Sequence, residues 1–239
     1  MTAKKQVTRS APDDRTHVAL DDIIRRLAAH YGPPPAPFPG EPFAMILWEQ
    51  VAYLATDAKR RIAFNALTSG VGVTPLAIAR AKPATLTAIA RLGGAVAADL
   101  RAERMVTSAE RVLSEHDGDL AQVLALPVAK ARAALAAFPM IGEPGADKIL
   151  AWSGAAQIVP LDSNALRVVT RLGLVSEAKD YRAWYRAARA AVTVPARASA
   201  RWGADAGQLL RQHGQVTCRR SAPRCAACAL RERCPSAGG

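Results

Sequence analysis

The chain has 239 residues, half of them hydrophobic, and a net charge of +12 from 32 Lys and Arg against 20 Asp and Glu. This size and hydrophobic fraction suffice for one substantial core or two small ones, and they exclude a chain that is disordered throughout. No apolar run approaches the roughly 20 residues of a membrane span, and the first residues lack the apolar core of a signal peptide. We therefore expect a cytoplasmic protein that does not enter a membrane.

Helical patterns follow one another along the chain. Residues 1–17 are polar and mixed in charge, which predicts a disordered arm, and residues 21–31 have the spacing of an amphipathic helix. A proline-rich link then leads to an almost wholly apolar run, Pro42 to Asp57, that predicts one buried helix. Further helical runs follow at short intervals, and no segment alternates long enough to predict a strand. The sequence therefore predicts an all-α protein of roughly ten helices.

The single acid of the apolar run, Glu49, is the first candidate functional residue. Burying a carboxylate costs on the order of several kcal/mol, a large part of a protein's net free energy of unfolding, unless the group is paired or protonated. Glu49 is therefore either a functional acid or a core acid paired with an arginine such as Arg60 or Arg61.

A helix, a hairpin and a second helix are predicted between residues 128 and 152. Pro139 stops the first helix, Gly142 and Gly145 flank Pro144 in a tight turn, and the second helix runs over 146–152. Free N–H groups at such a helix start suit a phosphate oxygen. Asp162 then precedes another helical run, where it serves as a helix cap or as a functional carboxylate.

The last third of the chain is strongly basic and contains all the cysteines. From Arg182 to the end there are eleven arginines against Asp205 and Glu232, a net charge of +9, which favours nucleic acid as the partner. The four cysteines have the pattern C-x6-C-x2-C-x5-C. Four thiolates this close together in a cytosolic chain indicate a metal site, and zinc and a [4Fe-4S] cluster both accept them. Because there is only one C-x2-C pair, the pattern favours the cluster. The cysteines are Cys218, Cys225, Cys228 and Cys234.

These motifs together resemble the endonuclease III superfamily of DNA glycosylases. The family's Leu-Pro-Gly-Val-Gly and later Val-Asp-Thr/Ser match Phe138 to Gly142 and Leu161 to Ser163, and its Pro-Phe to Ala-Thr-Asp helix matches residues 42–57. The resemblance implies two helical lobes. One is a six-helix barrel with the helix-hairpin-helix, 43–156, and the other is an iron-sulfur lobe made of 18–42 and 157–239.

The resemblance also implies a monofunctional DNA glycosylase. The lysine that forms a Schiff base in bifunctional members is Pro144 here, and Glu49 stands seven residues after Pro42, as the catalytic Glu does in lysine-free members. Asp162 would stabilise the cationic sugar and orient water. Glu49, with its pKa raised by an apolar setting, would donate a proton to the leaving base or position the water.

The implied partner is double-stranded DNA with a damaged or mispaired base, bound by a monomer. The glycines would present N–H groups to phosphates, Leu54 would fill the gap left by the flipped base, and the cluster would fix a loop whose arginines meet the backbone. Oxidised or deaminated pyrimidines, mispaired thymine and alkylated purines all remain open as substrates. The residues expected to contact DNA are Gly142, Gly145, Lys148, Leu54, Arg219, Arg220 and Arg224.

Two alternatives follow from the departures from the family pattern. Lys148 lies one helical turn after Pro144, so a bifunctional glycosylase and abasic-site lyase that uses Lys148 is the first. The second is an iron-sulfur DNA-binding protein without catalysis, because Met140 replaces the first hairpin glycine and Pro144 replaces the lysine.

Overall fold

A computed structural model describes residues 14–34 and 39–238, and every regular element in these ranges is helical. The predicted all-α fold is confirmed, with more and shorter helices than expected. None of the described helices combines the length and the apolar character needed to cross a bilayer. The α-helices are α1 (Asp14–Tyr31), α2 (Pro42–Gln50), α3 (Asp57–Gly70), α4 (Pro75–Ala79), α5 (Pro83–Leu92), α6 (Ala98–Glu115), α7 (Ala121–Leu124), α8 (Val128–Ala136), α9 (Gly142–Trp152), α10 (Ser163–Arg171), α11 (Tyr181–Ala191) and α12 (Trp202–Val216). Short 3-10 helices cover Cys225–Ala227, Arg231–Arg233 and Pro235–Gly238.

The disordered arm predicted for residues 1–17 lies mostly outside the described residues. Its last four residues, 14–17, are described and form the first turn of α1. No glycine or proline lies between residue 14 and the amphipathic segment, so nothing in the sequence stops the helix from extending towards the N-terminus.

The chain divides into two compact units. The central unit is Pro35–Pro160, and the terminal unit is Met1–Pro34 with Leu161–Gly239. The core of the central unit is formed by fully buried side chains such as Ile46, Leu67 and Leu86. In the terminal unit, α12 packs against both α10 and α1. Each unit therefore has helices of its own that position candidate functional residues.

The apolar run of Pro42 to Asp57 was predicted to form one helix, and this prediction is wrong. Helix α2 ends at Gln50, Leu54 has a left-handed backbone with φ of 48°, and Thr56 starts α3 by accepting a hydrogen bond from the Lys59 backbone N–H at 3.3 Å. A threonine at the N-cap favours the start of a new helix, and here this effect outweighs the continuous apolar pattern. A second cause of the early end of α2 is a contact with another part of the central unit.

A buried guanidinium holds the chain where α2 ends. Arg101 is 1% exposed and donates hydrogen bonds to the carbonyl oxygens of Val51 at 2.5 Å, Ala90 at 2.9 Å, Val96 at 3.1 Å and Gly94. These carbonyls lie at the end of α2, in α5 and in the loop before α6. Buried polar groups need such partners, so Arg101 keeps three separate pieces of backbone together.

Replacement of Arg101 by methionine tests this role. We expect Arg101→Met to lower the free energy of unfolding by about 3 kcal/mol or more, because buried carbonyl oxygens lose their donors. Urea denaturation measures the change, and Arg104→Met, on the partly exposed side of the same helix, is the matched control. Equal effects of the two substitutions would contradict the role.

Candidate functional site

The helix-hairpin-helix consists of α8, a turn over residues 137–141, and α9. The turn lies earlier than predicted, since Met140 has the left-handed φ of 67° and α9 begins at Gly142, which has φ of 30°. Pro144 and Gly145 therefore belong to the first turn of α9 rather than to the hairpin turn. A proline fits there because first-turn N–H groups have no partner in the helix.

Gly145 packs against the N-cap residue of its own helix, Ile141. A Cβ atom at this position would lie 3.2 Å from Ile141 Cγ2, closer than most real contacts. The turn itself is anchored by Gln50, which is fully buried and donates to Pro139 O at 2.9 Å and to Ser108 Oγ at 2.7 Å. Nothing in the sequence singled out Gln50, because its partners lie 58 and 89 residues away.

Glu49, near the end of α2, forms an ion pair with Lys148 of α9. Lys148 Nζ donates to Glu49 Oε1 at 2.7 Å, and Arg60 Nη1 lies 3.7 Å from Glu49 Oε2. The Lys148 ammonium also lies 5.6 Å from the centre of the Trp152 ring. The side chains of Glu49 and Lys148 are 19% and 18% exposed, so the pair is largely shielded from solvent.

This geometry corrects the apolar setting predicted for Glu49. Glu49 is paired with two cations, and one of them, Arg60, is an arginine that the sequence analysis named as the partner of a core acid. Lys148 was expected to contact DNA, and its ammonium is bound to Glu49. The structure thus brings together two of the predicted site residues, Glu49 and Lys148, in the central unit.

Leu54 stands out on the surface of the central unit. Its side chain is 80% exposed, and Tyr53 beside it is 48% exposed. A leucine in the left-handed region costs roughly 1 kcal/mol or more. An exposed apolar side chain of this kind is suited to contact with an apolar partner. The insertion of Leu54 into the gap left by a flipped base stays a prediction.

Asp162 is both a helix cap and a member of an ion pair in the terminal unit. Its Oδ1 accepts hydrogen bonds from the backbone N–H groups of Asn164 and Ala165, each at 2.9 Å. Arg211 Nε on α12 donates to the other oxygen, Oδ2, at 2.9 Å. These hydrogen bonds hold the carboxylate in place. With 23% of the side chain exposed, the carboxylate is still accessible. Sequence reasoning missed Arg211, which is 49 residues away.

Helices α10 and α12 approach each other closely next to Asp162. A Cβ atom on Gly214 would lie 2.6 Å from the backbone oxygen of Asn164, which only glycine tolerates. Arg167 ties the two helices to the cysteine segment, since it donates to Gly214 O at 2.7 Å and to Cys218 O at 2.9 Å. The position of the Asp162 helix is therefore fixed from α12.

The four predicted cysteines line one cavity of about 180 Å³ in the terminal unit, and none of them forms a disulfide. Burial raises the pKa of the Cys228 thiol. His213 lies against the cavity, and burial lowers its pKa to about 4, which keeps the imidazole neutral at pH 7. Within the described ranges, no three His, Cys, Asp or Glu side chains converge as they do on a single metal ion.

The predicted arginines of the cysteine segment lie at two places. Arg219 and Arg220 line a polar recess together with Arg167, Asn164 and other residues of α10 and α12, whereas Arg224 borders the cysteine cavity. The recess combines cationic side chains with amide groups, which is the chemistry that binds phosphate oxygens.

Comparisons with known proteins agree with this description. No protein-family model matches the sequence. Endonuclease III of Sulfolobus acidocaldarius is 28% identical over 196 residues, which cover 80% of this chain and 81% of that protein. A trapped endonuclease III–DNA covalent intermediate superposes with a TM-score of 0.74 at 16% identity, covering 92% of this chain and 96% of that one. A thermostable thymine-DNA glycosylase also gives 0.74, at 15% identity, over 95% of this chain and 99% of that one.

The close approach of α10 and α12 leads to a stability prediction. We expect Gly214→Ala to lower the free energy of unfolding by about 2 kcal/mol, because the new methyl group overlaps a backbone oxygen that cannot move away. Gly70→Ala is the control, since a Cβ atom there meets no atom within 4 Å. Thermal unfolding measures both, and an unchanged melting temperature in Gly214→Ala would refute the contact.

Proposed function

Because this chain is a homologue of endonuclease III and has the all-helical fold of the helix-hairpin-helix DNA glycosylases, we propose that it is a base-excision repair DNA glycosylase. It hydrolyses the N-glycosidic bond of a damaged or mispaired base in double-stranded DNA. The observation that carries the proposal is Asp162, an accessible carboxylate that α10 and Arg211 hold in one orientation.

The reaction requires a base to leave the duplex and a cationic sugar to be stabilised. The glycosidic bond is out of reach inside a stacked duplex, so the nucleotide is flipped out before it reacts. Breaking the bond develops positive charge on the sugar, as in glycoside hydrolysis by carboxylates. We assign the stabilisation of this charge to Asp162, because the N-terminus of α10 and Arg211 hold its accessible carboxylate in one orientation.

We assign the positioning of the attacking water molecule to Glu49. Paired with Lys148 and Arg60, its carboxylate is held in one place, where it is suited to positioning a water molecule. The position that bears the nucleophilic amine in bifunctional relatives is Pro144, in the first turn of α9. The proposed enzyme is therefore monofunctional and leaves an abasic site.

We further propose that the four cysteines hold a [4Fe-4S] cluster. They fit it because all four border one cavity as free thiols, and because a four-iron cluster is larger than a single ion and spreads its ligands more widely. The cluster would fix the segment from Cys218 to Cys234, and with it the arginines that contact the DNA backbone. The protein acts as a monomer in this proposal.

Base release is the direct test of the proposed activity. End-labelled duplexes that contain uracil, thymine opposite guanine, thymine glycol, an alkylated purine, or adenine opposite oxidised guanine are incubated with the protein and treated with hot alkali. We expect release from one of them, and a loss of at least about 100-fold in Asp162→Asn and in Glu49→Gln with unchanged DNA binding.

Asp180→Asn is the matched control for Asp162→Asn. Asp180 is also the N-cap of a helix, α11, where its side chain accepts from the Ala183 N–H at 2.9 Å. Asparagine caps helices as well as aspartate does, so both substitutions keep the helix and remove only the charge. Binding without release from every duplex, in wild type as in the variants, would favour the DNA-binding protein without catalysis.

Abasic-site lyase activity through Lys148 is the second candidate, because Lys148 lies in α9 one helical turn after Pro144 and its side chain is 18% exposed. For the monofunctional enzyme we expect strand breaks only after alkali, in wild type and in Lys148→Met alike, with release slowed about 10-fold in the variant because Glu49 loses its partner.

Lys82→Met, at an exposed lysine of the central unit, is the control and is expected to leave release unchanged. Breaks that appear without alkali in the wild type, and that disappear in Lys148→Met while base release continues, would establish the lyase instead.

A further inference from the structure

A chain of hydrogen bonds runs from the N-terminal helix to one of the cysteines. The Tyr31 hydroxyl, at the end of α1, lies 2.9 Å from His213 Nδ1 and 2.8 Å from Thr217 Oγ1. The other ring nitrogen, His213 Nε2, lies 3.5 Å from Cys228 Sγ. His213 is 1% exposed, so its ring has no solvent with which to satisfy its nitrogens. All four residues belong to the terminal unit.

The chemistry of the cysteine fixes the direction of these hydrogen bonds. A thiolate that is bound to iron carries no proton and can only accept a hydrogen bond. His213 Nε2 must then carry the imidazole proton, because two lone pairs facing each other would repel. His213 Nδ1 is left as an acceptor for the Tyr31 hydroxyl proton, and Tyr31 in turn accepts from the Thr217 hydroxyl. Each group in the chain thus has one consistent role.

We propose that His213 is a positioning residue for the iron-sulfur cluster: its Nε2–H donates to the Cys228 thiolate, in the tautomer that Tyr31 selects. The inference rests on the proposed cluster and extends it. A hydrogen bond to a cluster sulfur stabilises the electron-rich, reduced state more than the oxidised state, so it raises the reduction potential. The network also ties α1 and α12 to the cysteine segment.

The midpoint potential of the cluster, measured by protein-film voltammetry on the full-length protein, tests the proposal. His213→Leu removes the donor, and we expect a more negative potential and faster loss of iron to a chelator. His213→Gln keeps an N–H group that reaches towards the sulfur, and we expect it to restore part of the shift. Tyr31→Phe removes the group that sets the tautomer, and we expect a smaller shift of the same sign.

The control is His30→Gln, which alters the exposed histidine directly before Tyr31 and is expected to leave the potential unchanged. A cluster-loaded His213→Leu with the potential of the wild type would overturn the proposal. Where His213→Leu takes up no cluster, Tyr31→Phe decides, and an unchanged potential there overturns it as well. Wild-type protein that contains zinc and no iron would refute the cluster and this inference together, whereas base release would still report on the glycosylase separately.

Discussion

A carboxylate in a largely apolar helix has to be paired, and the ion pairs of Glu49 join three helices of the central unit, α2, α3 and α9. Its two oxygens draw Lys148 from α9 and Arg60 from α3 towards the end of α2. Arg60 also donates to the backbone oxygen of Trp48 at 2.5 Å, which helps to close that end of the helix. Gln50, the next residue, holds the hairpin turn through Pro139. Glu49 and Gln50 together thereby hold α9 and the hairpin turn against the end of α2.

In the terminal unit, arginines pair with the carboxylate of Asp162 and with backbone carbonyl groups. Asp162 takes its two backbone partners from its own helix, and Arg211 comes from α12. Arg167 satisfies the carbonyls of Gly214 and Cys218, so the same pair of helices that positions the candidate catalytic acid also supports the cysteine segment. In the proposed enzyme, an intact cysteine segment and a well-placed Asp162 are therefore parts of one packing arrangement.

Local signals in the sequence predicted much of this fold, and long-range contacts account for what they missed. Asp162 was predicted to precede a helix and caps α10, and the four cysteines singled out by their spacing line one cavity. The end of α2 was missed because it depends on Arg101, 50 residues away. Of the two partners of Glu49, Arg60 was named from the sequence, whereas Lys148 was missed because it lies 99 residues later, where spacing carries no information.

Borohydride reduction during base release tests most directly whether water or a lysine attacks the sugar. The wild-type protein is incubated with the duplex that it processes and with borohydride, and the intact protein is then weighed by mass spectrometry. A hydrolytic enzyme that uses Glu49 and Asp162 yields abasic DNA and protein of unchanged mass. A covalent DNA adduct, mapped to Lys148, would contradict the account, because it would make the amine the nucleophile.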